Sequence, residues 1–441
     1  MTLMRFNKPS KYSNNQRVFI FDGMLGFSAN ALTSGVFLTG LLLSLGATNL
    51  MVGLISSAGA WALMLSLLSS LVVESVRQRK RLLLTVMLIF RLFTTLPDFL
   101  PLILGNGQHN ATLAAIMITI GFTVNTICTT DLPVFMLDSL PMEGRNSFMY
   151  VRMKYTRIAN TVVSIGAGIL MDALDKSYLG FLIIYSSALA FGVIQTINMS
   201  RVQGDSVIRT DKLSVAAFRK RFFEPFRNKR YLRFLIFTLF FFFFYFIAAS
   251  YISLYQYKYL KLDFLTISIY NTSVLFTMII LTTPWRKIES RIGQTRVLAL
   301  TSIAITADFV VYGFLTTQTL WLLPLSGLFA ALGGSGLWTC ILPYRYNLMP
   351  RDGKTIYEAW NGTLFAIASF LGALAGGKLQ VWLPSVTTSF LVFSSFQIMF
   401  LFAGISAIVS ALVFAWQEGC FASDQETEIK RRLSDHEKNQ N

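Results

Sequence analysis

Charge is scarce in this chain. Only 14% of its 441 residues are Asp, Glu, Lys or Arg, against about 25% in a soluble globular domain. Hydrophobic residues make up 54% and the mean hydropathy is +0.56. That leaves too little polar surface to coat a water-soluble fold, so the expected solvent is lipid. Cysteine and histidine are scarce too. Cys128, Cys340 and Cys420 stand far apart without C-x-x-C spacing, and the histidines are His109 and His436 alone. This excludes a disulfide framework and a zinc site of ordinary spacing. No nucleophile–base pair falls among the apolar runs, so neither an enzyme nor a cofactor is expected. The first 17 residues are polar and basic, and no short apolar region with a cleavage site follows them. No cleaved signal is expected.

What the chain has is long apolar runs. A helix needs about 20 apolar residues to cross a bilayer. Twelve runs qualify: 18–45, 49–73, 82–104, 111–138, 148–171 and 179–199, then 231–256, 263–284, 297–316, 320–343, 356–381 and 388–416. They are too long and continuous for barrel strands. The net charge of +16 would suggest nucleic acid in a soluble protein, but here the bases punctuate apolar runs. With both termini inside, 33 Lys/Arg fall in cytoplasmic segments, four (Lys176, Lys258, Lys261, Lys378) in external loops, and Arg91 within span three. The bias assigns a multi-pass plasma (inner) membrane protein with cytoplasmic termini and no nucleic-acid partner. The expected division is an N-terminal segment 1–17, a six-helix bundle 18–199, a basic cytoplasmic linker 200–230, a second bundle 231–416 and a tail 417–441. The linker, with "FRKRFFEPFRNKR" at 218–230, suits an anionic lipid surface.

An internal repeat supports two halves. "PMEGR" at 141–145 and "PRDGK" at 350–354 align, each between the fourth and fifth spans of its half. The Gly-Lys-Thr of the second copy is no phosphate loop, because Leu348 stands five before Gly353 and no strand precedes it. "QRKRLLLT" at 78–85 matches "QTRVLALT" at 294–301, each between the second and third spans. Both pairs fall on the same face in both halves, so the repeat is parallel. On these features, and on the degenerate loops "SLVVESVRQRKR" (70–81) and "RKIESRIGQTR" (286–296), the chain resembles the major facilitator superfamily over nearly its whole length. The expected fold is an all-α polytopic membrane protein, two six-helix halves related by a parallel pseudo-repeat. In that superfamily such loops form a cytoplasmic gate. The resemblance carries that role to Glu74, Arg77, Arg79, Lys80, Glu143, Arg145, Glu289, Arg291, Asp352 and Lys354. The plainer reading is that charges at helix ends anchor in headgroups.

Ionisable residues at membrane depth are functional candidates, because burying them is costly unless they are paired or hydrated. At 1.5 Å of rise per residue, Asp22 lies about 7 Å in, Asp131 about 10 Å, Arg91 about 15 Å, Asp308 about 18 Å and Glu358 about 6 Å. In the superfamily, spans one, four, seven and ten line a central cavity. The resemblance therefore favours Asp22 and Asp131 as substrate or proton sites, with Asn30, Tyr245, Tyr251 and Trp338 beside them. Pro133 removes a helical hydrogen bond near Asp131, which can leave a carbonyl free there. Arg91, Asp308 and Glu358 are expected in intramembrane charge pairs, Arg91 structurally on a peripheral span. Span seven, "FTLFFFFFYFIAASYISLYQYKY", reads mainly as lipid-facing phenylalanine with an outer tyrosine belt. "ALGGSG" at 331–336 reads as close packing or a flexible point. The implied function is secondary active transport of a small organic molecule by a monomer in the bilayer, driven by a proton gradient. Proton-antiport efflux comes first, although span five lacks the proline and span four the arginine usual in drug antiporters. Proton-coupled uptake of a nutrient, peptide or metal chelate is the alternative, and a non-transporting sensor or scaffold is a third.

Overall fold

The computed structural model describes residues 13–65, 78–105, 107, 109–139, 145–203, 223–350, 354–383, 386–387 and 392–420. Helix occupies at least part of all twelve apolar runs, and the fold is all-α. Among the described residues, eight helices are long and apolar enough to cross a membrane. A ninth candidate is the pair Asn14–Leu32 and Gly35–Ser44, bent by 40°. The bend follows a break in the backbone ladder: Thr33 closes the first helix and Gly35 has φ +58°, a region that favours glycine.

Local chemistry sets the ends. Ser13 caps span one and Ser394 caps span twelve, each in a reciprocal box with the glutamine three residues on, Gln16 and Gln397. Several helices run past the expected bounds. Span five begins at Arg145 rather than 148, and span eight continues through Pro284 to Ile292. Their charged ends suit water, and the helical ladder need not stop at the apolar boundary. Span twelve begins at Ser395 rather than 388, because Val386–Thr387 pairs antiparallel with Val392–Phe393 in a minimal hairpin.

The chain forms two compact units, residues 1–215 with 250–272 and residues 216–249 with 273–441. The end of span seven and the first turns of span eight thus belong to the first unit. Inside that unit, span one packs on five and six, and span three on four and six. Inside the second, span seven packs on eleven and twelve, and span nine on ten and twelve. These are the same pairings displaced by six spans, so the parallel repeat in the sequence is a repeat of packing.

Span seven departs from its expected lipid-facing character. Phe234, Phe237, Phe241 and Phe242 are buried within the second unit. Phe237 stacks on Phe414 at 4.3 Å, and Phe242 meets Phe365 edge-on at 4.7 Å. A helix that packs on two neighbours has little face left for lipid, and the rings become core. Only Phe240 among this run is more than half exposed, at 51%. Span ten is a continuous helix, Leu323–Leu348. A Cβ on Gly333 would lie 2.0 Å from the Ile305 backbone nitrogen, so the glycine-rich stretch serves close packing on span nine.

Candidate functional site

The first unit has a partly open cavity of about 300 Å³ between spans one, three, four, five and six. Its polar lining comprises Asp22, Asn30, Arg91, Asn125, Arg152 and Gln195. The apolar lining includes Phe19, Phe27, Met87, Phe90 and Met136.

Four of the polar groups form a continuous relay with Asp22. The Arg152 guanidinium pairs with the Asp22 carboxylate at 3.2 Å and also donates to the Phe19 carbonyl at 2.9 Å. The other Asp22 oxygen accepts from the Gln195 amide at 2.8 Å. The Gln195 carbonyl in turn accepts from Arg91 at 3.2 Å. Arg91 also donates to Asn30 at 2.8 Å and to the Gly26 carbonyl at 2.9 Å. Asp22 is only 2% exposed, so its charge is stabilised by these partners and not by water. The relay bears two guanidinium groups against one carboxylate.

Small residues make the relay sterically feasible. A Cβ on Gly23 would lie 2.5 Å from the Thr156 hydroxyl, and one on Gly26 would lie 2.5 Å from the Gln195 amide nitrogen. On the opposite side, a Cβ on Gly192 would lie 2.4 Å from Arg91 Cγ. Span one therefore offers its bare backbone to span six, and span six offers its own to the arginine stem of span three.

The sequence-predicted residues do not all come together. Asp22, Asn30 and Arg91 meet at this cavity. Arg91 departs from the expected peripheral charge pair: it lines the cavity and bonds to the amides Asn30 and Gln195. Asp131 lies on span four beside the lining residues Leu132 and Pro133, but its side chain is outside the described set. The span-four helix passes through Pro133 without ending. Asp308 meets a hydroxyl instead of a base, accepting from Ser326 inside the second unit. Glu358 does form a charge pair, held by two nitrogens of Arg345 at 2.7 and 2.8 Å.

The aromatic candidates lie elsewhere. Tyr251 is fully buried against Gly53, where an added Cβ would lie 2.1 Å from its ring. Tyr245 packs on Phe309 at 5.1 Å, and Trp338 stacks on Phe242 at 6.0 Å. Of the gate residues, Glu74, Arg77, Glu143 and Asp352 lie outside the described residues, as do the side chains of Arg79, Arg145 and Lys354. Lys80 donates to the Val202 carbonyl at 2.8 Å. Glu289 faces the Cys340 thiol at 3.7 Å, and Arg291 is exposed at the end of span eight.

Sequence reasoning missed Arg152, Gln195 and Asn125. Arg152 sits seven residues inside the span-five helix, yet it reads as one more base of a cytoplasmic segment. Gln195 and Asn125 are neutral and escape a search for charges. The available signal was an amide in an otherwise apolar span, with Gly192 one turn before Gln195. At the repeat offset that aligns Pro141 with Pro350, Arg152 falls on Asn361. The second unit thus carries a neutral side chain at the position where the first carries the guanidinium.

The sequence pattern described as the MFS_1 like family matches residues 27–392. Similar solved structures include a mutant of the nucleoside transporter NupG, at 14% identity and TM-score 0.69, covering 91% of this chain and 98% of that one. A D-xylose-proton symporter aligns at 12% identity and TM-score 0.69, covering 91% and 96%. The POT family transporter PepTSo aligns at 13% identity and TM-score 0.66, covering 94% and 100%. No curated protein sequence matches the chain.

Proposed function

The chain belongs to the MFS_1 like family, and on that premise we propose that it couples proton movement to the transport of a small, polar, hydrogen-bonding solute. Membrane transport of the major facilitator type is the coarser statement, and the family match and fold support it. The observation that carries the finer reading is the relay Arg152–Asp22–Gln195–Arg91–Asn30 along one wall of a cavity. A cavity of about 300 Å³ is the size of a small-ligand site. Its polar wall suits a solute with several hydroxyl, amide or anionic groups, which would bond to the guanidinium and amide donors. The apolar rings of Phe19, Phe27 and Phe90 would exclude water around it.

Asp22 is the proposed coupling residue. Protonation would cancel its attraction for Arg152 and leave that guanidinium free for solute. Solute binding and proton binding at Asp22 would then favour each other by reciprocal linkage. This order of events suits symport. The name of one structural neighbour, a D-xylose-proton symporter, agrees with this order, so uptake is preferred to efflux here. The proposed orientation keeps both termini cytoplasmic, on the charge bias alone.

Reconstitution into vesicles with an imposed pH gradient tests this reading. Labelled pentoses, nucleosides and dipeptides form the panel. Proton-driven accumulation of one class is expected. Asp22→Asn should abolish accumulation against a gradient while preserving solute exchange. Solute leaving in exchange for incoming protons would replace uptake by efflux, and full accumulation by Asp22→Asn would remove Asp22 from the coupling.

A further inference from the structure

The first unit buries another carboxyl that nothing among the described residues compensates. Asp98 sits in a 3-10 turn, Leu96–Phe99, that interrupts span three between the helices Arg79–Thr95 and Leu100–Leu104. The side chain is 0% exposed, and neither carboxyl oxygen has a hydrogen-bond partner among the described residues. Span six supplies the nearest titratable groups. The Tyr178 hydroxyl donates to the Asp98 backbone carbonyl, which leaves the carboxyl untouched. The Tyr185 hydroxyl is within electrostatic reach of the carboxyl, is itself fully buried and also has no hydrogen-bond partner among the described residues.

Among the described residues, no cation answers this charge. Span four packs on the turn, and its one titratable residue near this end, His109, is exposed. Span six carries Tyr178 and Tyr185 and no charged residue. The short helix Leu100–Leu104 is wholly apolar. On span three itself the nearest base is Arg91, seven residues away and bonded to Asn30, Gly26 and Gln195. An isolated carboxylate sealed in an apolar setting is so costly that such groups take a proton instead. A buried acid and a buried phenol, both without a hydrogen-bond partner among the described residues, are also outside what polar interiors ordinarily tolerate.

We propose that Asp98 is a second proton-binding site, occupied in this conformation and distinct from Asp22. It lies six residues before the end of the Leu100–Leu104 helix, about 9 Å by helical rise. On the charge-bias orientation that end faces outside. The proton comes from the outer solution and binds the carboxylate, converting one negative charge into a neutral acid. With the charge gone, the turn can bury between spans four and six. Loss of the same proton to the outer solution restores the carboxylate and requires the turn to open to water. The 3-10 turn is suited to that opening, because Pro97 and Pro101 lack backbone donors and a mid-helix 3-10 stretch is a common hinge. Use of this site in transport rests on the proton-coupled reading above, but proton binding by Asp98 does not.

Infrared difference spectroscopy of the full chain in lipid, titrated with pH, tests the proposal. The expected result is a protonated-carboxyl carbonyl band that shifts in deuterium oxide. It should vanish in Asp98→Asn and persist in Asp22→Asn. Asp98→Asn places a neutral isostere where a neutral acid is inferred, so it should insert and fold. Asp98→Glu gives a second reading, because its band should persist at a shifted frequency. Tyr185→Phe should also shift the wild-type band. A band unaffected by both Asp98 variants overturns the proposal, as does a wild-type protein with no protonated band at any pH where it remains folded. A band that behaves as expected in a protein without proton-driven flux retains Asp98 as a proton site and rejects the coupled-transport reading instead.

Discussion

The Asp22–Arg152 pair joins spans one and five, and a double-mutant cycle measures whether it does so as a buried ion pair. At the observed 3.2 Å, Coulomb's law with an effective dielectric near 20 gives roughly 5 kcal/mol of attraction. Several features reduce the net value. Arg152 is 12% exposed, so water reaches its guanidinium. It also keeps its bond to Phe19 in the absence of the acid. Removing one member of a buried pair costs about 3–5 kcal/mol, mostly because the other is left uncompensated. Asp22→Asn retains an oxygen for Gln195, and its expected cost is the lower end, about 3 kcal/mol. Arg152→Gln strands a carboxylate that is almost wholly buried and should cost at least as much. The double variant strands neither, so its cost should fall short of the sum by about 2 kcal/mol. Reversible unfolding in mixed micelles, followed by tryptophan fluorescence, provides the four free energies. A coupling below about 0.5 kcal/mol would mean additivity and refute the ion-pair argument.

Other outcomes follow from the same geometry. Gly26→Val would push a branched side chain against the Gln195 amide, which an added Cβ already approaches to 2.5 Å. It should cost about 1–3 kcal/mol through overpacking and reduce solute affinity. Unchanged thermal stability and affinity would show that the amide is not fixed between Asp22 and Arg91. Asp172, at the end of span five, accepts the first two backbone N–H groups of span eight at 3.1 and 2.8 Å. Asp172→Ala should cost about 1 kcal/mol, as caps do, and accelerate amide exchange over Phe264–Ile267 about fivefold. Unaltered exchange there would remove Asp172 as the cap. The neighbouring Lys176–Asp263 pair at 2.7 Å is exposed and should be worth less than about 1 kcal/mol. Its hydrogen bond to Asp263 raises the Lys176 titration above the ordinary lysine value. That contribution is complete below the usual lysine pKa of about 10.4 and is lost only as pH rises through the raised value. The effect of Lys176→Ala should therefore be constant from about pH 6 to pH 9, and a step in that window would refute the assignment.

Part of the candidate site was open to sequence reasoning for a simple reason. A charge in an apolar run is conspicuous, and Asp22 and Arg91 drew attention on cost alone. Arg152 was concealed by its neighbours Lys154 and Arg157, which lie on the same helix and make it look like part of a basic segment. Gln195 was concealed because an amide carries no charge, although it is the residue that links Asp22 to Arg91. Asp98 lies within the expected span three, 82–104, but was not singled out there; that its turn is enclosed by spans four and six is a matter of packing.

Apolar length dictated the helices, because a backbone in lipid must satisfy its own hydrogen bonds. Repeated short motifs dictated two parallel halves, because one ancestral six-helix unit leaves the same turns in the same places. Neither length nor motif says which face of a helix meets which neighbour. That depends on three-dimensional packing: glycines at 23, 26 and 192 admit the side chains of the relay, and span seven's rings pack inward against spans eleven and twelve. It is also packing that leaves one buried carboxyl, Asp22, with two donors and another, Asp98, with none among the described residues. Burial and partnership are properties of the whole arrangement around an atom, so residues of identical chemistry within one unit acquire different surroundings.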